Sequence, residues 1–371
     1  MKIGIITQPL DINYGGLLQN YALQQVLMKL GHEAYTINRF NKPRLRIKYT
    51  VRQLIKKLLG LPRDYLYWEL FKIRKHCREF VNRNIKTTEM FRTQDELYRI
   101  VRKYKFDGYI SGSDQVWRPC FSENIYNDFL DFCQNKKGIK RIAYSASFGV
   151  SEWEFNEEQT ARCGRLVKLF DAVSVREDSG VVLCENHWGI SATHVLDPTL
   201  LLEKEDYIKI VEEYREQKSV GDLFCYILDE NEKIDNAIRT VGHKLSMKDF
   251  KVGVKYCNQL HKKGENISNY IIPAPTKWLR AFMDAKMVFT DSFHGCVFSI
   301  IFNKPFWVIG NMERGNARFD SLLKLFELEN RRISLEEIGQ VDLNSAINWD
   351  KVIKIKEDWQ DKSFKFLRDN L

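Results

Sequence analysis

Short apolar runs alternate along the chain with longer stretches in which apolar positions recur every three or four residues. The runs at 2–7, 106–111, 140–145 and 172–175 read as buried strands, each leading into a polar or glycine-bearing loop and then helical periodicity. Positions 17–30 form an amphipathic helical pattern closed by Gly31, and 33–37 supplies the next strand, a βαβ opening. A last strand of this half is expected at 194–196, ended by Asp197-Pro198. A charged helical stretch leads to a second series, with strands at 223–227, 251–254, 287–290 and 306–309 and helices starting near Glu232, Thr276 and Ser292.

Two α/β series in tandem predict two Rossmann-like domains facing a cleft, with ligands at the carboxyl ends of the strands. At 371 residues the chain exceeds the size at which one core stops growing, which agrees. The expected units are 1–203, with a basic helical insertion at about 41–80; 204–345; and a charged helix, 346–371, packing back on the first domain. There is no internal repeat and no low-complexity tract.

Composition adds that the chain is globular, 44% hydrophobic and 29% charged. No apolar run reaches the roughly 18 residues of a membrane span, and MKIGIITQPL reads as a buried strand rather than a leader. The expected location is the cytoplasm. Eight scattered cysteines without a CxxC pair point to reduced, buried thiols, and neither a disulfide framework nor a metal site is expected.

The net charge of +9 is local: twelve Lys or Arg stand against two acids between Asn41 and Arg78. Within that stretch Val51, Leu54, Ile55, Leu58 and Leu59 share one helical face, with Arg52, Lys56 and Lys57 between them. Such a helix can lie on an anionic bilayer, peripheral at the inner face of a membrane. It can equally pack on the protein's own core or on a second subunit. No nucleic-acid motif accompanies it, so nucleic acid is not an expected partner.

Several loops carry candidate chemistry. Gly15 and Gly16, after Asn13, let backbone approach a ligand and aim helical N–H groups at an anion, or they make a plain turn. Ser113, Asp114 and Gln115 can bond sugar hydroxyls while Trp117 offers a ring face; a helix cap with a buried tryptophan fits equally. Ser145 and Ser147 can line a cleft or cap the next helix. Arg176, at a strand's carboxyl end, suits bidentate capture of a carboxylate or phosphate, against a surface pair with Glu177 or Asp178. Asp291, Ser292, His294 and Gly295 join a strand to an apolar helix, which puts His294 where helical N–H groups attract an anion; a satisfied partial-core histidine is the plainer alternative. Arg314 and Arg318, four apart, can meet one phosphate or be solvated surface charges.

The order and wording of these segments resemble the polysaccharide pyruvyl transferase family, particularly its bacterial surface- and capsular-polysaccharide branch. The resemblance is carried by Asn13-Tyr14-Gly15-Gly16 with Leu18-Gln19 and Tyr21-Ala22-Leu23, Gly112 to Trp117, Tyr144 to Gly149, Ser174-Val175-Arg176-Glu177, Val195 to Thr199, Asp291 to Gly295, and Arg314 to Arg318. It implies a GT-B-like α/β architecture and transfer of pyruvate from phosphoenolpyruvate to a sugar as a cyclic ketal, releasing phosphate. No further cofactor is implied. His294 and Arg176 match the family's phosphoenolpyruvate-site histidine and arginine. Some members carry an arginine two residues before that histidine, where this chain has Ser292. Arg314 or Arg318 then becomes the candidate replacement, and Lys304 loosely matches a late family lysine.

The implied roles are His294 as proton donor, Arg176 with Arg314 or Arg318 on the two anionic groups, and Asp114 or Asp291 on the acceptor. The implied acceptor is a saccharide of exopolysaccharide or capsule synthesis, with a lipid-linked one suggested by the basic stretch. The competing readings are a GT-B nucleotide-sugar glycosyltransferase and a non-enzymatic carbohydrate-binding protein, in which Arg176 and His294 would point away from each other.

Overall fold

The computed structural model describes residues 1–39, 47–59, 61, 64–253, 266–310 and 317–371. Arg314 lies outside the described residues. Two parallel sheets organise the chain. The first contains β1 (Lys2–Ile6), β2 (Glu33–Thr36), β3 (Gly108–Ser111), β4 (Lys140–Ala146), β5 (Ala172–Val175) and β6 (Thr193–His194), in the order β2-β1-β3-β4-β5-β6. The second contains β7 (Leu223–Tyr226), β8 (Asp249–Phe250), β9 (Met287–Thr290), β10 (Phe306–Ile309) and β11 (Arg332–Ile333), in the order β11-β10-β9-β7-β8. All pairings are parallel, which requires crossovers through helices and explains the near-continuous apolar reading of the strands.

The direction of winding reverses between β1 and β3 in one sheet and between β7 and β9 in the other. At such a switch point the connections leave on opposite sides and open a crevice at the strands' carboxyl ends. The loops after β1, β3 and β9 hold most of the candidate residues.

The first helix runs from Tyr14 to Lys29, so Gly15 and Gly16 lie inside its first turn instead of ahead of it. Asn13 causes the earlier start: its side chain accepts a hydrogen bond from the Gly16 N–H at 3.2 Å, and its carbonyl accepts from Leu17. The strand expected at 251–254 lies at Asp249–Phe250, where it meets Leu223 and Phe224, and positions from 254 are outside the described residues. The sequence pattern misses β11 because only two residues of a charged segment pair there, Arg332 and Ile333 against Val308 and Ile309.

One apolar cluster runs through both halves, from Ile3 and Leu18 to Trp278, Phe298 and Leu367. Tyr14 marks the join: its ring lies 5.7 Å from that of Trp278, and its hydroxyl donates to the Pro273 carbonyl at 2.9 Å. The C-terminal helix, Trp349–Asn370, returns to the first sheet. Ser363 Oγ accepts from the Leu196 N–H at 3.0 Å, Gln360 donates to the Leu200 carbonyl at 2.7 Å, and Phe366 packs near Tyr144. These contacts brace the chain on both sides of Asp197.

Candidate functional site

Asp197 follows β6 and is completely buried. One carboxylate oxygen accepts from the Thr199 N–H at 3.0 Å and from its hydroxyl at 2.6 Å. The other accepts from Nη1 of Arg176 at 2.9 Å and from Ser113 Oγ at 3.2 Å, and lies 3.8 Å from Nε2 of His294. Arg176 comes from the end of β5 and Ser113 from the loop after β3, whereas His294 arrives from the second sheet, in the first turn of the helix Phe293–Ile301. The two halves therefore meet on one carboxylate. Phe293 adds a second link, its ring centroid 4.4 Å from the Arg176 guanidinium carbon.

Gly15 makes this approach possible. A Cβ at that position would stand 2.0 Å from Nδ1 of His294, so the imidazole lies directly on the backbone of the first helix's opening turn. A Cβ at Gly16 would stand 3.2 Å from a carboxylate oxygen of Asp114. Gly295 serves the other side: a Cβ there would meet the Thr290 hydroxyl at 2.2 Å, so its absence lets the second helix start tight against β9. Two helix N-termini, with their positive dipole ends, thus meet where His294 lies on Gly15.

The charges are crowded. Burial by itself would raise the Asp197 carboxyl; the adjoining His294 imidazole and the Arg176 charge outweigh it and hold the group well below the usual carboxylate range. Burial would lower the Arg176 guanidinium, but Glu177, Asp197 and Asp114 outweigh it and raise it. Arg318 is pushed down to about 10 by burial and then by the charge of Arg176. The Arg318 and Arg176 guanidinium charges thus act on one another electrostatically. Among the described residues, Nη2 of Arg176 and Nε2 of His294 are buried without a hydrogen-bond partner. Buried donors are normally satisfied, so this pair describes a place for an acceptor-rich anion.

The remaining candidates divide. Asp114 has a left-handed backbone, φ 75°, and one oxygen takes the Gln115 N–H at 2.9 Å. Ser145 lies 3.5 Å, oxygen to oxygen, from Ser113, and its N–H bonds Ser174. Ser147 donates to Glu177, which also takes Nε of Arg176 at 3.3 Å, so Ser147 steadies the arginine's neighbour. Ser292 is the buried N-cap residue of the His294 helix and makes no side-chain cap bond. Gln115 turns its side-chain oxygen to Arg118 at 3.2 Å.

Three expectations are corrected. Trp117 offers no ring face to a sugar: it is fully buried, stacked on Phe129 at 5.0 Å and edge-on to Phe148 and Trp188. Asp291 is occupied elsewhere, its two oxygens accepting from the Leu228 and Asp229 N–H groups at 2.7 and 3.0 Å, which pins the loop after β7 to the end of β9. Lys304 precedes β10 and bonds the Met283 carbonyl at 2.9 Å, at the opposite end of the sheet. Conversely, the sequence marks Asp197 as a strand terminator and as part of the Val195–Thr199 segment of the resemblance, and assigns it no role in the site. The available signal was its place at the carboxyl end of an expected strand, where ligand-facing loops gather.

The family model described as Polysaccharide pyruvyl transferase matches residues 13–313. No curated protein matches the chain. Among solved structures, a putative UDP-N-acetylglucosamine 2-epimerase from Listeria monocytogenes aligns at 10% identity and TM-score 0.55, covering 99% of this chain and 94% of that one. The S. aureus MnaA–UDP structure aligns at 11% identity and TM-score 0.50, covering 98% and 90%. A glycosyltransferase from Rickettsia africae aligns at 10% identity and TM-score 0.49, covering 100% and 93%. For the first two, at these identities, the likeness is one of fold, the GT-B-like pair of Rossmann-type sheets.

Proposed function

Because the chain belongs to the polysaccharide pyruvyl transferase family, an enzyme family, we propose that it moves pyruvate from phosphoenolpyruvate to a sugar of a polysaccharide precursor, forming a cyclic ketal and releasing phosphate. The observation that carries this reading is the pair of buried nitrogens without a hydrogen bond, Nη2 of Arg176 and Nε2 of His294, brought together where the His294 ring meets Gly15, with the Arg318 charge acting on Arg176. Phosphoenolpyruvate is a compact anion with a carboxylate and a phosphate, and the site offers a guanidinium for each.

In this reading His294 delivers a proton to the methylene carbon, so C2 becomes an oxocarbenium-like electrophile. A sugar hydroxyl adds to C2 and gives its proton to a base; Asp114, facing Gly16 across the opening turn, takes that part. The C–O bond to phosphate then breaks with its electron pair, and a second hydroxyl closes the ketal, its proton leaving with the phosphate. Arg176 and Arg318 offset the charge on the departing group. Asp197 does not touch substrate; it holds Arg176 in place and keeps a negative charge beside the imidazole. The first half takes the acceptor, the second supplies the proton donor, and a lipid-linked saccharide of capsule or exopolysaccharide synthesis is the acceptor.

The test is incubation with phosphoenolpyruvate and a pool of lipid-linked oligosaccharides, followed by mass spectrometry for a pyruvyl ketal and assay of released phosphate. Consumption of nucleotide sugars in place of phosphoenolpyruvate would overturn the reading.

A further inference from the structure

An amphipathic helix of a water-soluble domain turns its apolar stripe inward. The helix Ile47–Leu58 does the reverse. Among the described side chains, 51–58, Gln53 is the buried one, exchanging hydrogen bonds with Asp64 at 3.3 and 3.0 Å, and Lys57 reaches the buried carboxylate of Glu69 at 2.9 Å. At about 100° per residue, Val51, Ile55 and Leu58 fall on the opposite side and Leu54 at its flank, and all four are exposed. Leu58 is 83% exposed and Leu59, just past the helix, 65%. The next helix, Tyr67–Ile73, buries Ile73 and exposes Tyr67, Trp68 and Phe71.

Nine of the eighteen large apolar side chains exposed among the described residues lie between Val51 and Phe71. Half of the exposed apolar surface residues thus occupy one short segment, and such a concentration marks an interaction surface. Its surroundings are cationic: Arg52 and Lys56 flank the stripe, Lys72 and Lys75 follow it, and the 41–78 stretch carries twelve basic residues against two acids. A second copy is a poor occupant, because a two-fold interface would bring these like charges together. Among the described residues no helix is long and apolar enough to cross a membrane, so a lipid contact here is interfacial.

We infer that the helices 47–58 and 67–73 dock the protein on an anionic lipid bilayer, with Leu58, Leu59 and Trp68 entering the headgroup boundary and Arg52 and Lys56 on lipid phosphates. The docking face is tied to the candidate site. Arg74 pairs with Asp11 at 3.1 Å, two residues before Asn13, and the Ile73 carbonyl accepts from the Ile272 N–H at 2.9 Å. A saccharide carried on a lipid is thereby held near the crevice, a purpose that rests on the proposed function, whereas the docking itself does not.

The experiment is flotation of the full chain with phosphatidylcholine vesicles, with or without phosphatidylglycerol, and without phosphoenolpyruvate. Association is expected with the anionic vesicles and declines with added salt. The double variant Arg52→Gln/Lys56→Gln weakens it roughly thirtyfold, and Leu58→Asp/Leu59→Asp abolishes it. As a check that needs no disruptive substitution, bromine-labelled lipids quench tryptophan fluorescence, and Trp68→Phe removes that quenching. Three results overturn the inference: no association with anionic vesicles, association that both double variants leave unchanged, or a wild-type dimer by light scattering that Leu58→Asp/Leu59→Asp converts to monomer. Loss of pyruvyl transfer with vesicle binding intact would count against the proposed function alone.

Discussion

Asp197 and Arg176 form a completely buried ion pair at 2.9 Å, and the same carboxylate oxygen lies 3.8 Å from His294 of the opposite half. A buried carboxylate between a guanidinium and an imidazole sets the orientation of the first and the electrostatic surroundings of the second.

Removing the imidazole tests the acid assignment. His294→Gln keeps a side chain of similar reach but no titrating group, and kcat for phosphate release with an acceptor is expected to fall about 100- to 10,000-fold. Full retention of phosphate release would remove His294 from the chemistry.

Arg176→Lys retains charge and loses the planar fork. Phosphoenolpyruvate binding, read by calorimetry, is expected to weaken by about 1.5–3 kcal/mol, the usual worth of a hydrogen bond to a charged group. The thermal midpoint falls as well, because Asp197 loses its best partner in a dry environment.

Asp197 also predicts a pH dependence. Its folded-state value lies below the unfolded one, so between the two the unfolded chain binds more protons and stability rises with pH. The contribution is fully present above the ordinary carboxylate value, about 4, and is lost as pH falls through the depressed folded value. Unfolding of Asp197→Asn, followed from neutral to acidic pH, is expected to show lower stability at neutrality and a shallower acid dependence than the parent.

Gly15→Ala is a positional test. The new methyl would stand 2.0 Å from His294, so the ring must move. A displacement of about 1 Å in a catalytic group costs on the order of 100-fold in rate. Gly16→Ala, with 3.2 Å to Asp114, is the milder companion. Steady-state kinetics with equal folded content separates the two.

Trp117→Ala should act through the core. Deleting a fully buried indole that packs on Phe129, Phe148 and Trp188 costs about 3–5 kcal/mol in denaturant unfolding. Trp117→Phe is expected to leave saccharide binding unchanged.

Strand-by-strand organisation was legible because buried parallel strands must be apolar along their whole length, as in 2–7 and 287–290. Gly15, Gly16 and Gly295 were legible as places where backbone approaches something, though not what. The residue types at Arg176 and His294 announced anion chemistry. Hydrophobic periodicity likewise defined the face of Val51, Leu54, Ile55 and Leu58, but not whether that face turns in or out.

Those remaining points are decided by distances between segments far apart in the chain. Trp117 followed a polar strand-end loop as a sugar platform would, and only packing put its ring in the core. Asp291 sat two residues before the candidate loop's phenylalanine, yet the loop after β7 claimed both of its oxygens. Asp197 became the centre of the site because β6 lies beside β5 and the second half presses His294 against Gly15. Local sequence determines which residues can bond an anion, since that is a property of side-chain chemistry and of the period of burial. Tertiary structure decides which of them converge, because convergence depends on strand order and on how two sheets are packed, and neither is encoded within any one loop.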